Sequence, residues 1–366
     1  MQEILHKKNF RSDNTYSIAK NLLGKFLVRR FDKYKSSFMI TEVEAYDGHR
    51  DKASHAHHGK TDRNAPMFNS AGHWYVYFTY GMHWMLNIVT GPKNYPAAIL
   101  IRGVSEINGP ARLTRRLIID KKFNNKPVSK KTGLWIEDKG INIPLRSIKR
   151  APRIGVAYAD KWALKPYRFY IKPLILSSKN TVTILQILQT GAIGAIPTDT
   201  IYGLVGLAQN KHGVERIYNL RQRNKSKPMI VLISSLQDLK LFDIRLSSGA
   251  SGILKKYWPG KISIILPCKN KKFEYLHRGT NTIAFRMPDN SIVLEILKKT
   301  GPLVAPSANL EGKKLATTIL EAQKYFGDKV DFYVDGGKIK SEPSTIIKIN
   351  ASGNIKIIRP GAVAIK

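Results

Sequence analysis

The apolar residues of this chain change their spacing near residue 173, and that change most restricts how the chain can fold. Before it, segments such as 38–46 (FMITEVEAY) and 97–102 (AAILIR) show the alternation or short apolar runs of strands. After it, strands alternate with helices, as in α/β proteins. A chain of 366 residues is also longer than a single hydrophobic core usually supports. We therefore predict two domains, residues 1–172 and 173–366, the first mixed and strand-rich and the second α/β.

The same spacing predicts individual elements. In the first half, a short helix beginning near residue 18 stops at Gly24 and continues as a strand; further strands are predicted at 38–46, within 73–89, at 97–102 and at 167–172. In the second half, helices are predicted at 181–190, 212–222, 249–257 and 291–299, with strands at 192–196, 229–233, 262–266, 282–286 and 303–305.

The chain carries a formal net charge of +35. Lys and Arg outnumber Asp and Glu by 32 to 13 in residues 1–172 and by 29 to 13 in the remainder, so no single tail holds the excess. Clustered cations favour a nucleic-acid partner because they displace counterions from phosphates. Abundant Lys, Asn and Ile would also arise from a biased coding composition, so charge alone leaves both explanations open.

Cysteine content and hydropathy indicate the compartment. The single cysteine, Cys268, excludes a disulfide framework and any multi-cysteine zinc or iron–sulfur site, and it fits a reducing environment. The first residues, MQEILHKKNF, lack the regions of a signal peptide. The most apolar run, 75–89, is too short and too aromatic to span a membrane. We expect a cytoplasmic protein that does not bind a membrane.

The segment TEVEAYDGHRDKASHAHHGKT (41–61) allows three interpretations: a metal site, a general-base site or a solvated loop. His55, His57 and His58 lie too close together to converge on one ion from a regular strand or helix. Glu44 and Tyr46 are two residues apart and therefore share one face of the strand that ends at residue 46. The general-base interpretation is favoured, although a loop could still bring the histidines to a metal.

An aromatic strand follows this carboxylate, with Tyr75, Tyr77 and Tyr80. One carboxylate with several aromatic rings suits an enzyme that stacks a flat, extruded base and activates a water beside it. Glu42, on the same strand face, is the rival to Glu44 as the base. Tyr75 is assigned to the core rather than to the pocket.

The first half resembles the alkyladenine (3-methyladenine) DNA glycosylase family. The matching pieces run in order across residues 18–172: NLLGKFLVR, ITEVEAYDG, DKASHAHHGKTDRNAPMF, AGHWYVYFTYGMHWMLNIV, AAILIRG, NGPARLT, RAPRIGV and YRFYI. The resemblance implies a mixed α+β domain with a curved antiparallel sheet, activity on duplex DNA with alkylated bases, and no metal or other cofactor. A family insertion between LIRGVSE and INGPARLT is almost absent here.

The resemblance also implies site residues. Glu44 would be the general base that activates water, and Arg102 would assist near that water and the phosphate. Tyr46, His55 and Tyr77 would line the base pocket with Asn87 at its floor, while Tyr80 would fill the gap left in the duplex. Electron-rich rings suit cationic alkylated purines, at roughly 0.5–2 kcal/mol per contact.

The second half combines a threonine turn in AIPTDTIYGL (195–204) with spaced cations. Hydroxyls and cations of this kind can bind ATP phosphates without a Walker loop. The half resembles the YrdC/TsaC family of threonylcarbamoyl-AMP synthases through PTDTIYGL, IYNLRQRNKSKPMIVLI, YWPGKISIIL, TIAFRMPDN, GPLVAPSANLEG, DGGKIKSEPSTI and IKIIRPGAV. That resemblance implies a twisted α/β sheet around a basic cavity.

The implied reaction joins L-threonine, bicarbonate and ATP, with Mg²⁺ on the phosphates, into threonylcarbamoyl-AMP. Transfer proteins, tRNA and hence double-stranded RNA would be its partners. Threonine would bind Thr198, Thr200, Arg286 and Ser344, and ATP would bind Arg221, Arg223, Lys227, Ser307, Asn309 and Arg359. Arg221 stands where active family members usually carry lysine, which is not a conservative difference.

These resemblances predict a bifunctional fusion of a DNA glycosylase and a threonylcarbamoyl-AMP synthase. One alternative is that the first half no longer catalyses and is a nucleic-acid-binding or passive appendage. Another is a chance fusion whose halves share no function.

Overall fold

A computed structural model describes residues 3–12, 14–349 and 354–365. The chain forms two compact units, Met1–Lys172 and Pro173–Lys366. Within the described ranges, no helix has both the length and the apolar character needed to cross a membrane. Each unit is built on its own sheet with flanking helices, which confirms the predicted two-domain α/β fold class.

The first unit is dominated by antiparallel strand pairing. Its strands are β1 Glu3–Ile4, β2 Phe26–Arg30, β3 Lys35–Asp47, β4 Trp74–Thr79, β5 His83–Val89, β6 Ala97–Val104, β7 Ile107–Asn108, β8 Leu134–Asp138, β9 Ile148–Ala151 and β10 Arg168–Ile171, and its helices are α1 Lys7–Phe10, α2 Thr15–Leu22 and α3 Pro110–Leu117. The main order is β1-β8-β2-β3-β6-β5-β4, with β10 joining β3 to β9 and β7 pairing with β6. Every described pair in this sheet is antiparallel.

Strand β3 positions the carboxylate singled out in the sequence. It pairs with β2 over its first part and with β6 and β10 over its last part, so Glu44 lies opposite both Leu100 and Arg168. Helix α2 begins at the Asn14 cap, whose side chain accepts a hydrogen bond from the Ser17 backbone. Gly24 then takes a φ of +85°, which lets the chain turn from helix into β2 as predicted.

The aromatic segment 73–89 forms two strands rather than the single strand predicted within it. β4 and β5 form a hairpin in which Tyr75 lies opposite Asn87. Tyr80 and Gly81 take positive φ values of 51° and 63° at the turn. Glycine adopts this conformation readily but tyrosine rarely does, so the sequence lacks the Asn-Gly or Gly-Gly pair that usually marks such a turn.

The second unit has a mixed sheet. Its strands are β11 Leu174–Ser177, β12 Gly194–Pro197, β13 Tyr202–Leu207, β14 Ile230–Leu232, β15 Ile262–Pro267, β16 Thr282–Arg286, β17 Leu303–Val304, β18 Phe332–Asp335, β19 Thr345–Ile349 and β20 Ile355–Arg359, and its helices are α4 Thr181–Gln189, α5 Lys211–Arg221, α6 Ser248–Tyr257, α7 Glu274–His277, α8 Ser291–Thr300 and α9 Ile319–Phe326. The order is β11-β18-β12-β13-β17-β14-β16-β15-β19-β20. Parallel pairs such as β14–β16 and β15–β19 occur beside antiparallel ones.

This sheet brings distant motifs together. β12 ends at Pro197, immediately before the threonine turn, and β16 ends at Arg286. The parallel pairing of β15 with β19 places Ile262 opposite Thr345. Polar residues from four separate stretches of sequence therefore lie close together in space.

Candidate functional sites

Glu44 is a fully buried carboxylate held by three donors. Its Oε2 accepts a hydrogen bond from the Tyr46 hydroxyl at 2.9 Å, and its Oε1 accepts one from the Ile154 backbone N–H at 2.8 Å. Arg102 Nη1 lies 3.4 Å from Oε1. Burial raises the pKa of Glu44 above its ordinary value, although Arg102 and the two hydrogen bonds oppose that rise. A buried carboxylate with a raised pKa is suited to accept a proton from water.

Glu42, the rival carboxylate, has a different environment. Its Oε1 accepts hydrogen bonds from Arg102 Nε at 3.2 Å and from Arg168 Nη1 at 3.0 Å. Glu42 therefore anchors two arginines, one of which also approaches Glu44. This arrangement favours Glu44 as the base and gives Glu42 a role in holding Arg102.

A cavity of about 420 Å³ lies beside Glu44. Its lining includes six of the residues singled out in the sequence: Tyr46, His55, Tyr77, Tyr80, Asn87 and Arg102. Glu44 itself lies behind this lining and reaches it through Tyr46 and Arg102. The structure thus brings all seven predicted residues of the first unit together.

One wall of the cavity is aromatic. Tyr75 is buried, as predicted, but it also lines this wall, and its hydroxyl lies 2.9 Å from His55 Nδ1. Tyr75 and Tyr77 alternate along β4 and share a face, with ring centroids 5.1 Å apart. The His55 ring packs edge-on against Tyr77 at 4.5 Å. Burial, assisted by Arg63, lowers the pKa of His55 to about 4, so the imidazole is neutral at pH 7.

The rim and floor of the cavity are formed by the β4–β5 hairpin. Tyr80, at its tip, is 75% exposed and adjoins the exposed Met82. Asn87 is buried, and its Nδ2 donates to the Tyr75 backbone oxygen at 3.1 Å. The cavity lining therefore includes both an exposed ring and a buried amide held by a hydrogen bond, and each can contact an inserted group.

The remaining histidines of the motif lie apart from this cavity lining. His57 Nδ1 hydrogen-bonds to the His49 backbone oxygen at 2.9 Å, and His58 packs against the His57 ring at 4.9 Å. Within the described ranges, no group of three or more His, Cys, Asp or Glu residues could hold a metal ion.

Sequence reasoning missed a buried ion pair next to the site. Arg153 and Asp51 are joined by two hydrogen bonds of 2.5 and 2.8 Å, and both side chains are fully buried. Arg153 also donates to the Ala45 backbone oxygen and lies 4.7 Å over the Tyr46 ring. The available signal is that two of the matching motifs carry these opposite charges, Asp51 in DKASHAHHGKTDRNAPMF and Arg153 in RAPRIGV.

In the second unit, the threonine turn meets Arg286. Arg286 Nη1 donates to Thr200 Oγ1 at 2.8 Å, and its Nη2 lies 3.5 Å from Thr198 Oγ1. Asp199, which sequence reasoning also missed, lies 3.4 Å from Nη2. Arg286 Nε and Asp199 Oδ1 are buried without a hydrogen-bond partner among the described residues. The Arg286 Nε–H therefore retains a donor that a further acceptor can engage.

Ser344 joins this cluster from another direction. Its Oγ lies 2.8 Å from Ser263 Oγ on β15, and its backbone oxygen accepts a hydrogen bond from Arg359 Nη2 at 2.7 Å. Ser344 therefore links the β15 edge of the cluster with Arg359. Its hydroxyl bonds to Ser263 rather than to Arg286.

A second cavity, of about 260 Å³, contains most of the predicted ATP-binding residues. Its lining includes Arg221, Arg223, Ser307 and Arg359. Arg221 Nε donates to the Asn309 backbone oxygen, and its Nη2 donates to Ser307 Oγ and Asn309 Oδ1, at 3.0 to 3.1 Å. Asn309 thus reaches the cavity through Arg221. Lys227 is instead an exposed side chain paired with Glu311 at 3.0 Å.

Arg221 is buried and retains one unpaired group. Its Nη1 has no hydrogen-bond partner among the described residues. Burial, with the charge of Arg223, lowers the pKa of Arg221 to about 10, which leaves it charged at neutral pH. The cavity therefore presents a fixed positive charge.

The two units have different folds and different sites, and each unit matches a different family of known proteins. A methylpurine-DNA glycosylase profile matches residues 9–108 and 104–173; the break between its pieces coincides with the shortened segment. A Sua5/YciO/YrdC profile, described as telomere recombination, matches residues 186–361. The chain belongs to the methylpurine-DNA glycosylase family through its first unit, and its second unit matches the Sua5/YciO/YrdC family model.

Individual relatives match one unit each. A protein of Methanocella arvoryzae named 3-methyladenine DNA glycosylase is 38% identical over 185 residues, covering 45% of this chain and 91% of the relative. One from Borreliella burgdorferi is 40% identical over 176 residues, covering 44% and 93%.

Solved structures match the second unit. P. abyssi Sua5 complexed with L-threonine is 27% identical with a TM-score of 0.48, covering 51% of this chain and 57% of that one. E. coli YciO is 23% identical with a TM-score of 0.47, covering 53% and 97%. The chain therefore spans little more than half the length of the Sua5 protein it matches.

Proposed function

We propose that the first unit hydrolyses the N-glycosidic bond of alkylated purines in duplex DNA. The observation that carries this proposal is the buried Glu44 carboxylate behind a tyrosine-lined cavity. A cavity of about 420 Å³ can accept one extruded purine, and electron-rich rings favour its cationic alkylated forms. The neutral His55 adds no positive charge that would repel such a base.

In the proposed reaction, the purine enters between the aromatic walls and a water lies near Glu44. Glu44 accepts a proton from that water, and the water oxygen bonds to the anomeric carbon of the sugar. The bond from that carbon to the purine breaks, and its electron pair leaves with the base. An alkylated purine is already cationic, so it leaves without prior protonation. Arg102 holds the Glu44 carboxylate in position, and the proposed reaction needs no metal.

The direct test uses the whole chain. Duplexes that contain 3-methyladenine or hypoxanthine are incubated with the protein, and released base is measured by chromatography. We expect lesion-dependent release. Tight binding of damaged duplex without release would instead support a nucleic-acid-binding unit that has lost catalysis.

Tyr80→Ala should weaken action on duplex DNA, because the exposed ring at the hairpin tip would replace the extruded base in the stack. Loss of one base–aromatic contact corresponds to a decrease of roughly 10- to 100-fold in kcat/KM. Tyr34→Ala is the matched control, since Tyr34 is also exposed and does not line the cavity. Equal losses from both substitutions would contradict this role for Tyr80.

For the second unit, we propose synthesis of threonylcarbamoyl-AMP from L-threonine, bicarbonate and ATP. Two features support it: buried hydroxyls beside Arg286, and a separate cationic cavity that contains Arg221, Arg223 and Arg359. Arg286 would bind the threonine carboxylate with Thr198, Thr200 and Ser344 around it. Arg221, Arg223, Lys227, Ser307, Asn309 and Arg359 would bind ATP, whose magnesium ion enters as part of the substrate.

In this proposed reaction the unit mainly positions the reactants and neutralises the charge of the phosphates. The threonine nitrogen bonds to the bicarbonate carbon with loss of water, giving a carbamate. A carbamate oxygen then bonds to the α-phosphorus of ATP, and the bond to the β-phosphate oxygen breaks to release diphosphate. Separate proteins then transfer the threonylcarbamoyl group to tRNA. The test is diphosphate release from ATP that requires both threonine and bicarbonate.

Arg221→Lys should lower kcat/KM for ATP roughly tenfold. Lysine retains the charge but cannot hold Ser307 and Asn309 together, and one hydrogen bond to a charged group is worth about 1.5–3 kcal/mol. Arg216→Lys, on the same helix but paired with Asp331, is the control. A faster Arg221→Lys enzyme would mean that Arg221 acts only as a phosphate contact that lysine serves better.

A further inference from the structure

The ion pair between Arg153 and Asp51 lies directly behind a ring of the proposed base pocket. The Arg153 guanidinium is 4.7 Å from the Tyr46 ring centroid, and Asp51 holds it with two hydrogen bonds. Tyr46 lines the cavity, whereas neither Arg153 nor Asp51 does, and both of their side chains are fully buried. The guanidinium therefore lies behind the ring as seen from the cavity.

A lone guanidinium in this place would work against a cationic base. It would occupy the same electron-rich ring that attracts the base, and its charge would repel the base through a poorly solvated region. Asp51 cancels that charge at hydrogen-bonding distance. The ring then remains free to attract a cation from the cavity side.

The other charges around the cavity are arranged differently. Arg102 is offset by Glu42 and Glu44. Arg63 lies 5.5 Å over the Tyr77 ring, and its Nη2 donates to the Phe78 backbone oxygen. Among the described residues, no carboxylate is within ion-pairing distance of Arg63. Tyr46 thus has a neutralised guanidinium behind it, whereas Tyr77 lies beside an un-neutralised guanidinium that itself lines the cavity.

We propose that the charges next to the two stacking tyrosines set the preference of the pocket for cationic over neutral purines, with Asp51 as the specificity-determining residue. This inference rests on the proposed glycosylase function. Asp51 acts through Arg153 and Tyr46 and does not touch the base. Its contribution is selective for charge, whereas a purely structural contribution would alter the binding of all bases alike.

The test compares binding of two damaged duplexes by the whole chain. One carries cationic 7-methylguanine and the other neutral hypoxanthine, each on a 2′-fluoro sugar that slows cleavage. The ratio of the two dissociation constants is measured for the natural sequence and for Asp51→Asn, Asp51→Asn with Arg153→Met, and Arg63→Gln. The ratio cancels any general loss of DNA binding.

We expect Asp51→Asn to reduce the preference for the cationic base roughly tenfold, because it leaves a buried unpaired guanidinium behind Tyr46. The double variant removes both charges and should restore the natural ratio within about twofold, since a neutral pair can replace a buried ion pair. Arg63→Gln should increase the preference about two- to threefold, a smaller change because Arg63 is exposed.

The outcomes separate the two proposals. If the natural sequence binds neither lesion more tightly than undamaged duplex, the proposed function itself fails. If it prefers lesions but a folded Asp51→Asn leaves the ratio unchanged, the inference alone is overturned. If Asp51→Asn does not fold, Arg63→Gln decides: an unchanged or reduced ratio rejects control by the charges next to the rings.

Discussion

Glu44→Gln is expected to lower base release from alkylated DNA by roughly 100- to 10,000-fold, the usual loss when a general base is removed. Glutamine has nearly the same shape; its amide oxygen can accept from the Ile154 N–H while its amide nitrogen donates to the Tyr46 hydroxyl, so the pocket should persist. It cannot take a proton from water at neutral pH. Single-turnover release of 3-methyladenine, at saturating enzyme, measures the chemical step directly.

The pH profile gives a second signature of the same residue. Burial raises the pKa of Glu44, so the active carboxylate should form at a higher pH than that at which a glutamate ordinarily ionises. The natural sequence should therefore show an acid limb in kcat/KM that Glu44→Gln lacks.

Stability provides the control for folding. The pKa of Glu44 is higher in the folded than in the unfolded state. The free energy of unfolding therefore falls as the pH rises from the unfolded-state pKa to the folded-state pKa, because ionisation of the buried carboxyl opposes folding. Glu44→Gln should thus be as stable as the natural sequence at pH 7, or more stable. Glu42→Gln is the matched carboxylate control and should lose less than about tenfold in rate. A larger loss from Glu42→Gln would make Glu42 the base.

The first site could be predicted from the sequence where its geometry is local. Glu44 and Tyr46 share a strand face because they are two residues apart, and the structure places them in hydrogen-bond contact. Ile154 and Arg153 are about a hundred residues away and reach the site only through tertiary packing. Tyr75 was assigned to the core alone, although the same two-residue spacing relates it to Tyr77 on the cavity wall.

The second unit shows the same division between local and long-range information. The threonine turn and Arg286 were identified from motifs, but only strand order brings them together. Ser344 is predicted to bind threonine from its motif alone, and only the parallel pairing of β15 with β19 brings its hydroxyl to Ser263. The sequence analysis does not predict β20. All five of its residues are exposed, so this strand lacks the buried face whose apolar residues usually reveal a strand in a sequence.

Arg286→Gln is expected to raise KM for L-threonine at least 30-fold while changing KM for ATP far less. The guanidinium is buried against Thr198, Thr200 and Asp199, and its Nε has no partner within the described residues. A carboxylate bound there would lose a buried charge-assisted contact, worth about 2–5 kcal/mol. Threonine and ATP dependence are measured by diphosphate release in the same preparation, which controls for the fraction of folded protein.

Removing Arg286 also leaves Asp199 without its cation, so a loss of stability must be separated from a loss of binding. Arg216→Gln breaks a different partly buried ion pair in the same unit, that with Asp331, and should leave the threonine KM unchanged. Arg286→Gln with Asp199→Asn removes both charges and should retain the high threonine KM. If that double variant recovered normal threonine affinity, Arg286 would serve only to neutralise Asp199, and the carboxylate of the substrate would bind elsewhere.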